Sequence, residues 1–291
     1  MEEKIDFVVP YVNNNDPVWQ KTFMDYFVRV DPKRLATMRN GRYEDIGLIY
    51  YQLQLVNKFM PWINKIYLIL SNKEQVIPSL LPKNVKIVLH REFIPSRFLP
   101  TFNSTTIEMF LPNIKGLSEY FIYANDDMLP IKPLSITHFF NENGQIKINW
   151  KEEIEQKQSL MFKNQCINSY QNVCKVINIV PDKELLRPLH SFTPMRLSHC
   201  LEIQRLLKTY IEPKIRAYRT DEQHNQYIFP VYDHLKYGSE NTNIKFYYTQ
   251  LDEEPDTLLK NIQKSHIICA NLIKNKENGK LLVKELEKLC K

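Results

Sequence analysis

The chain has 291 residues, 43% hydrophobic and 25% charged, and its 39 basic against 33 acidic residues leave a net charge of +6. These are the proportions of a soluble globular protein with a core large enough to enclose a site. Only 6 glycines, and no GxGxxG or GxxxxGK[ST] run, argue against Rossmann cofactor sites and P-loop ATPases.

The start, MEEKIDFVVPYV, is acidic where a leader would be basic, and its apolar run is too short for one. Ile5 to Val12 reads as a buried strand that breaks into the polar turn Asn13 to Pro17. Val18 to Arg39 is expected to be helical or irregular. Helical spacing of Ile46, Ile49, Tyr50, Leu53 and Val56 predicts a helix from Asp45 to Met60, closed by Pro61. Lys65 to Leu70 and Val85 to Leu89 read as strands separated by a helix-sized connection. Ser104 to Pro112 resembles the first turns of a helix capped by Ser104. A further strand, Tyr120 to Ala124, stops at Asn125, Asp126 and Asp127. Alternating strands and helices imply a parallel sheet with crossover helices, whose ligands bind beyond the carboxyl ends of the strands.

After about Trp150 the composition becomes more polar, with Lys183 to Tyr210 and Tyr227 to Tyr237 reading as helical. The tail from Pro255 shows helical spacing through Leu258, Leu259 and Ile262, and again through Leu281, Leu282 and Leu286, with a turn at Asn275 to Gly279. No stretch approaches the roughly 20 apolar residues of a membrane-spanning helix. Cys166, Cys174, Cys200, Cys269 and Cys290 contain no CxxC pair, which fits reduced thiols. A cytoplasmic protein with at most peripheral membrane contact is expected. No RNP motif or zinc-finger spacing signals nucleic acid.

Adjacent carboxylates at a strand end, Asp126 and Asp127, can hold a hard divalent cation that bridges phosphate oxygens; as a bare dipeptide, a simple turn is an equally good reading. Asp16 lies in the first strand-end loop, with Trp19 near enough to offer a stacking face. A cluster of Asn, Asp and Pro is more often only a turn. Glu108 follows the loop LPTFNS, and the helix start at Asn103 and Ser104 is a candidate anion site. His190, in LHSFTPMR, has the pKa range of a proton carrier. Arg219, in YRTDEQHNQYIF, suits a bidentate phosphate contact.

In this order the segments resemble the Stealth family, which includes bacterial capsular polysaccharide phosphotransferases and the catalytic subunit of GlcNAc-1-phosphotransferase. The resemblance rests on IDFVVPYVNNNDPVW, on RYED, MPWINKIYLIL, LPTFNSTTIE and GLSEYFIYANDDML, on LHSFTPMR, and on YRTDEQHNQYIF. Its most specific part is LPTFNSxxIE followed, 17 residues after the Glu, by NDD.

The resemblance implies transfer of a sugar-1-phosphate from a nucleotide sugar to a hydroxyl of an acceptor glycan, lipid-linked or free, with nucleoside monophosphate leaving. It places catalytic roles on Glu108, Asp127, His190 and Arg219. It places substrate contacts on Asn13, Asp16, Trp19, Arg42, Asn103, Ser104 and Asn125, and a Mg²⁺ or Mn²⁺ ion on Asp126 and Asp127. Whether His190 or Glu108 is the base stays open. The implied fold is α/β, a mostly parallel, GT-A-like central sheet with a helical cap or insertion and a helical tail. Residues 1–150 would bind the nucleotide sugar, and 151–291 would complete one catalytic unit. The competing readings are a GT-A glycosyltransferase releasing nucleoside diphosphate and a non-catalytic glycan-binding subunit. The chain departs from the family pattern at Asn14, Leu48, Gln54 (usually Arg), Gln223 (often Asp) and the tail ICANLI.

Overall fold

The computed structural model describes residues 3–33, 35, 46–154, 160–182, 184–271 and 273–291. The substrate contact expected at Arg42 lies outside the described residues, as does Asp45.

In chain order the elements are β1 (Ile5–Pro10), α1 (Pro17–Val30), α2 (Leu48–Phe59), β2 (Ile63–Leu70), β3 (Val85–Leu89), α3 (His90–Phe93), α4 (Ser104–Met109), β4 (Tyr120–Tyr123) and β5 (Met128–Pro130). They continue with β6 (Trp150–Ile154), α5 (Met161–Val176), β7 (Glu184–Pro188), β8 (Thr193–Arg196), α6 (Leu197–Ile211), α7 (Ile228–Tyr237), β9 (Phe246–Thr249), α8 (Pro255–Lys264), β10 (Ile267–Ala270) and α9 (Lys276–Cys290). The class is α/β. The largest sheet runs β3-β2-β1-β4-β8; β2 and β3 pair in parallel, and β8 enters antiparallel to β4.

By their contacts the residues form two compact units. One comprises Phe7–Leu89, Ala124–Ser135 and Ile244–Lys291; the other comprises Met1–Asp6, His90–Tyr123 and Ile136–Asn243. The tail groups with residues 7–89, its last helix α9 packing on α2.

Strand β1 is buried from Ile5 to Val9, as a strand covered on both faces should be. Asp16 caps α1 and Pro17 opens it, an order that suits the fixed φ and missing N–H of proline. The expected helix between β2 and β3 is absent: two 3₁₀ turns, Lys73–Gln75 and Pro78–Leu80, make the connection. Pro78 and Pro82 leave no helix-length run of free N–H groups there.

The two helical stretches of the tail are α8 and α9, but the tail is not helical throughout. Ile267–Ala270 is a fully buried strand between β9, parallel to it, and β5, antiparallel to it. The expected turn at Asn275 to Gly279 is instead the start of α9, with the Asn275 side chain capping Glu277 and Asn278. Leu55, Leu129, Leu258, Ile268 and Leu286 share the core that these elements enclose.

In the second unit, β4 pairs with β8 and β6 with β7, both antiparallel. The helix expected over Lys183 to Tyr210 begins only at Leu197. Strands β7 and β8 precede it, since the Pro188 and Pro194 positions interrupt any helical ladder. Helices α5, α6 and α7 pack on one another. Among the described residues no helix is long and apolar enough to cross a membrane, and none of the five cysteines forms a disulfide.

Candidate functional site

Glu108 is 5% exposed on α4. A carboxylate so placed must be satisfied from within. Its Oε1 accepts from the Tyr123 hydroxyl at 3.2 Å and its Oε2 from the Gln226 backbone N–H at 3.0 Å. Burial pushes the Glu108 pKa up, against the opposing pull of the Arg219 charge and these hydrogen bonds. The Arg219 guanidinium in turn donates to the Ser104 hydroxyl. Glu108, Arg219 and Ser104, which the sequence names singly, are thus one group.

The structure corrects the reading of the α4 start. Asn103, not Ser104, is the N-cap: its Oδ1 accepts from the Thr105 N–H and hydroxyl. Asn103 is also 0% exposed, and its amide donates to Thr106 Oγ1, Arg216 O and Gln223 Oε1. Its polar groups are engaged by the protein.

The segment 216–226 that carries Arg219 is irregular, and its conformation is set by side chains. Gln223 accepts on Oε1 from Asn103, Thr105 and the Thr220 N–H, and donates through Nε2 to Lys214 O and Tyr218 O. An aspartate cannot donate those last two bonds, which gives a local reason for the glutamine. From α5, Gln165, Asn168 and Ser169 hold the same segment through Thr220 O, Asp221 O and Asn225 Oδ1.

His190 lies in the loop between β7 and β8, half-buried, with its Nδ1 3.5 Å from the Tyr227 hydroxyl. The edge of Phe162 faces its ring at 6.2 Å.

In the unit that contains α1 and α2, Asp126 and Asp127 occupy a tight turn between β4 and β5, closed by Met128 N–H to Asn125 O at 3.2 Å. Asp127 is fixed from two directions. Its backbone carbonyl accepts from Ala270 N–H at 2.9 Å, and its Oδ2 accepts from the Asn271 amide at 2.8 Å. Asn271 is oriented by the Tyr248 hydroxyl at 3.1 Å. Asp127 Oδ1 is shut from solvent and has no hydrogen-bond partner among the described residues. Burial first, and then the Asp127 charge, push the neighbouring Cys269 thiol well above its ordinary range.

A buried carboxylate oxygen without a partner calls for an explanation. Oxygen donors suit Mg²⁺ or Mn²⁺, so Asp127 fits a hard cation.

The first-loop residues are engaged within the protein, as the turn reading of this cluster has them. Asp16 is 3% exposed, and its oxygens accept from Val18 N–H, Trp19 N–H and the Asn72 amide. Trp19 stacks on Phe23 at 4.9 Å within the packing face of α1, not on an open surface. Asn13 Oδ1 accepts from Asn15 N–H, inside the turn. These residues shape the loop.

Asn271, Tyr248 and Gln52 were not singled out by the sequence. Gln52 carried a signal: it is a polar side chain on the buried face of α2, beside Ile49, Leu53 and Val56. Asn271 carried none, since it meets Asp127 across 144 residues.

Residues 42–148 match Stealth protein CR2, conserved region 2. The capsular polysaccharide phosphotransferase LcbA of Neisseria meningitidis is 32% identical over 282 residues, covering 92% of this chain and 77% of LcbA. The receptor polysaccharide phosphotransferase WefC of Streptococcus oralis is 37% identical over 146 residues, which are 50% of this chain and 44% of WefC. Among solved structures, the galactosyltransferase LgtC, in complex with donor and acceptor sugar analogs, aligns over 98% of this chain and 95% of its own at 9% identity, with a TM-score of 0.46. On the near full-length similarity to LcbA and the conserved-region match, the chain belongs to the Stealth protein family.

Proposed function

We propose that the protein transfers a sugar-1-phosphate from a nucleotide sugar to a hydroxyl of an acceptor glycan, releasing nucleoside monophosphate, in the synthesis of a capsular or other surface polysaccharide. The single observation that carries this reading is the LcbA similarity over 92% of the chain, which spans Glu108, Asp127, His190 and Arg219.

In this reading the acceptor oxygen attacks the phosphorus that bears the sugar. A new P–O bond forms to the acceptor, the P–O bond to the nucleoside phosphate breaks, and the bridging oxygen leaves with the nucleotide. His190 takes the hydroxyl proton at an imidazole nitrogen, as a positioned histidine can. Glu108 is not the base, because both its oxygens already accept hydrogen bonds and it is buried. It holds Arg219, whose guanidinium stabilises charge on the phosphoryl oxygens.

Mg²⁺ or Mn²⁺, when bound, would neutralise the diphosphate, held by Asp127 with Asp126. Asn271 keeps Asp127 Oδ2 occupied and so turns Oδ1 toward that use. Asn125 supplies the carbonyl that closes the turn.

Incubating the protein with UDP-, GDP- and CDP-sugars and Mg²⁺ tests the reading, with nucleoside monophosphate as the expected product for at least one donor. His190→Ala should lower its release by at least about a hundredfold, with an unchanged circular dichroism spectrum. Activity within about tenfold of the parent, about 1.4 kcal/mol of barrier, removes His190 from the base role.

A further inference from the structure

Helix α2 presents Leu48, Ile49, Leu53, Leu55 and Val56 to the core, and Gln52 shares that buried face at 0% exposure. Its side chain makes two hydrogen bonds, and both go to the acidic turn. Nε2 donates to Asn125 O at 2.7 Å and to Met128 O at 2.5 Å. These are the first and last residues of the turn that displays Asp126 and Asp127.

Both partners are carbonyl oxygens, which only accept, so the amide NH₂ end must face them. The other end, Oε1, is then buried with no partner. Leaving a buried acceptor unsatisfied is destabilising, a cost that an apolar residue at this position would avoid. Stability of the core therefore does not account for the glutamine, whereas its two bonds to the turn do.

We propose that Gln52 is a positioning residue: its amide ties the two ends of the Asn125–Met128 turn to α2 and so sets the aim of the Asp126 and Asp127 carboxylates. The clamp spans 73 and 76 residues of sequence. Its effect on turnover rests on the sugar-phosphate transfer proposed above; the clamp itself does not.

Two variants of the full chain test it. Gln52→Met keeps approximate length without donors, and Gln52→Glu keeps the shape but sets acceptors against acceptors. With folding verified by circular dichroism, hydrogen exchange of the Met128 amide, which closes the turn, should quicken at least tenfold in either variant. Exchange in β1 should not change. The Mg²⁺ concentration giving half-maximal nucleotide release should rise at least tenfold, while the rate at saturating Mg²⁺ falls less than threefold. A general loss of folding would not be rescued by Mg²⁺ in this way. Met128 exchange within twofold of the parent in a folded variant overturns the clamp. Faster exchange in a protein whose parent releases no nucleoside monophosphate would uphold the clamp and sink the transfer reading instead.

Discussion

Glu108 and Asp127 are carboxylates in different units of one chain, and their surroundings are opposite. Glu108 is closed: each oxygen accepts a hydrogen bond from the protein, and Arg219 supplies the countercharge. Asp127 is open: Asn271 satisfies one oxygen, and the other is buried without a partner. In the proposed reaction the satisfied carboxylate holds other protein groups, and the unsatisfied one takes the cation. Burial alone does not separate the two roles, but the hydrogen-bond accounting of each oxygen does.

The sharpest way to break this contrast is Asp127→Asn. The amide keeps an oxygen for Asn271 to donate to and loses only charge, so melting should shift by less than about 1 kcal/mol of stability, within the range of a single hydrogen bond. Nucleoside monophosphate release should fall by at least about a thousandfold, roughly 4 kcal/mol of barrier. A large fall in melting temperature would place Asp127 among the closed groups.

Glu108→Gln should behave in the reverse proportion. The substitution sets an NH₂ group against the Gln226 N–H or the Tyr123 hydroxyl and leaves Arg219 without its countercharge. About 2–3 kcal/mol of stability should be lost, less than for a fully buried pair because Arg219 is half-exposed. Urea unfolding measures it, and an unchanged midpoint would show that Glu108 is not structural.

His90 tests whether the same closed unit neutralises its other buried groups. Burial pulls its pKa down from 6.5 to about 4, so the folded protein holds the neutral ring. As pH falls from about 6.5 to about 4, the unfolded chain takes up a proton that the folded one refuses, and stability declines. The full difference corresponds to roughly 3 kcal/mol. His90→Leu should flatten that acid limb in unfolding measured at a series of pH values, and an unaltered slope would contradict the assignment.

Much of this was legible in the sequence, for identifiable reasons. The runs Ile5 to Val9 and Val85 to Leu89 announce strands, and NDD after an apolar run announces a strand-end turn. Glu108, Asp127, His190 and Arg219 come as a set only through the family resemblance, and the structure joins two of them, Glu108 and Arg219, through Ser104 and shared charge. Strand Ile267–Ala270 was not legible, because four buried apolar residues carry no period of their own and their partners lie at Phe246 and Met128. The same distance hid Asn271. Asn103 shows the limit of a local reading, since a helix N-terminus looks alike in sequence whether its polar groups face a ligand or, as here, Arg216 and Gln223.

The most direct test of the proposed reaction is phosphorus NMR of the protein turning over a nucleotide sugar in the presence of a glycan acceptor and Mg²⁺. The account predicts a nucleoside monophosphate resonance that grows in step with a new phosphodiester on the acceptor. Nucleoside diphosphate as the nucleotide product, with no phosphodiester formed, would contradict it.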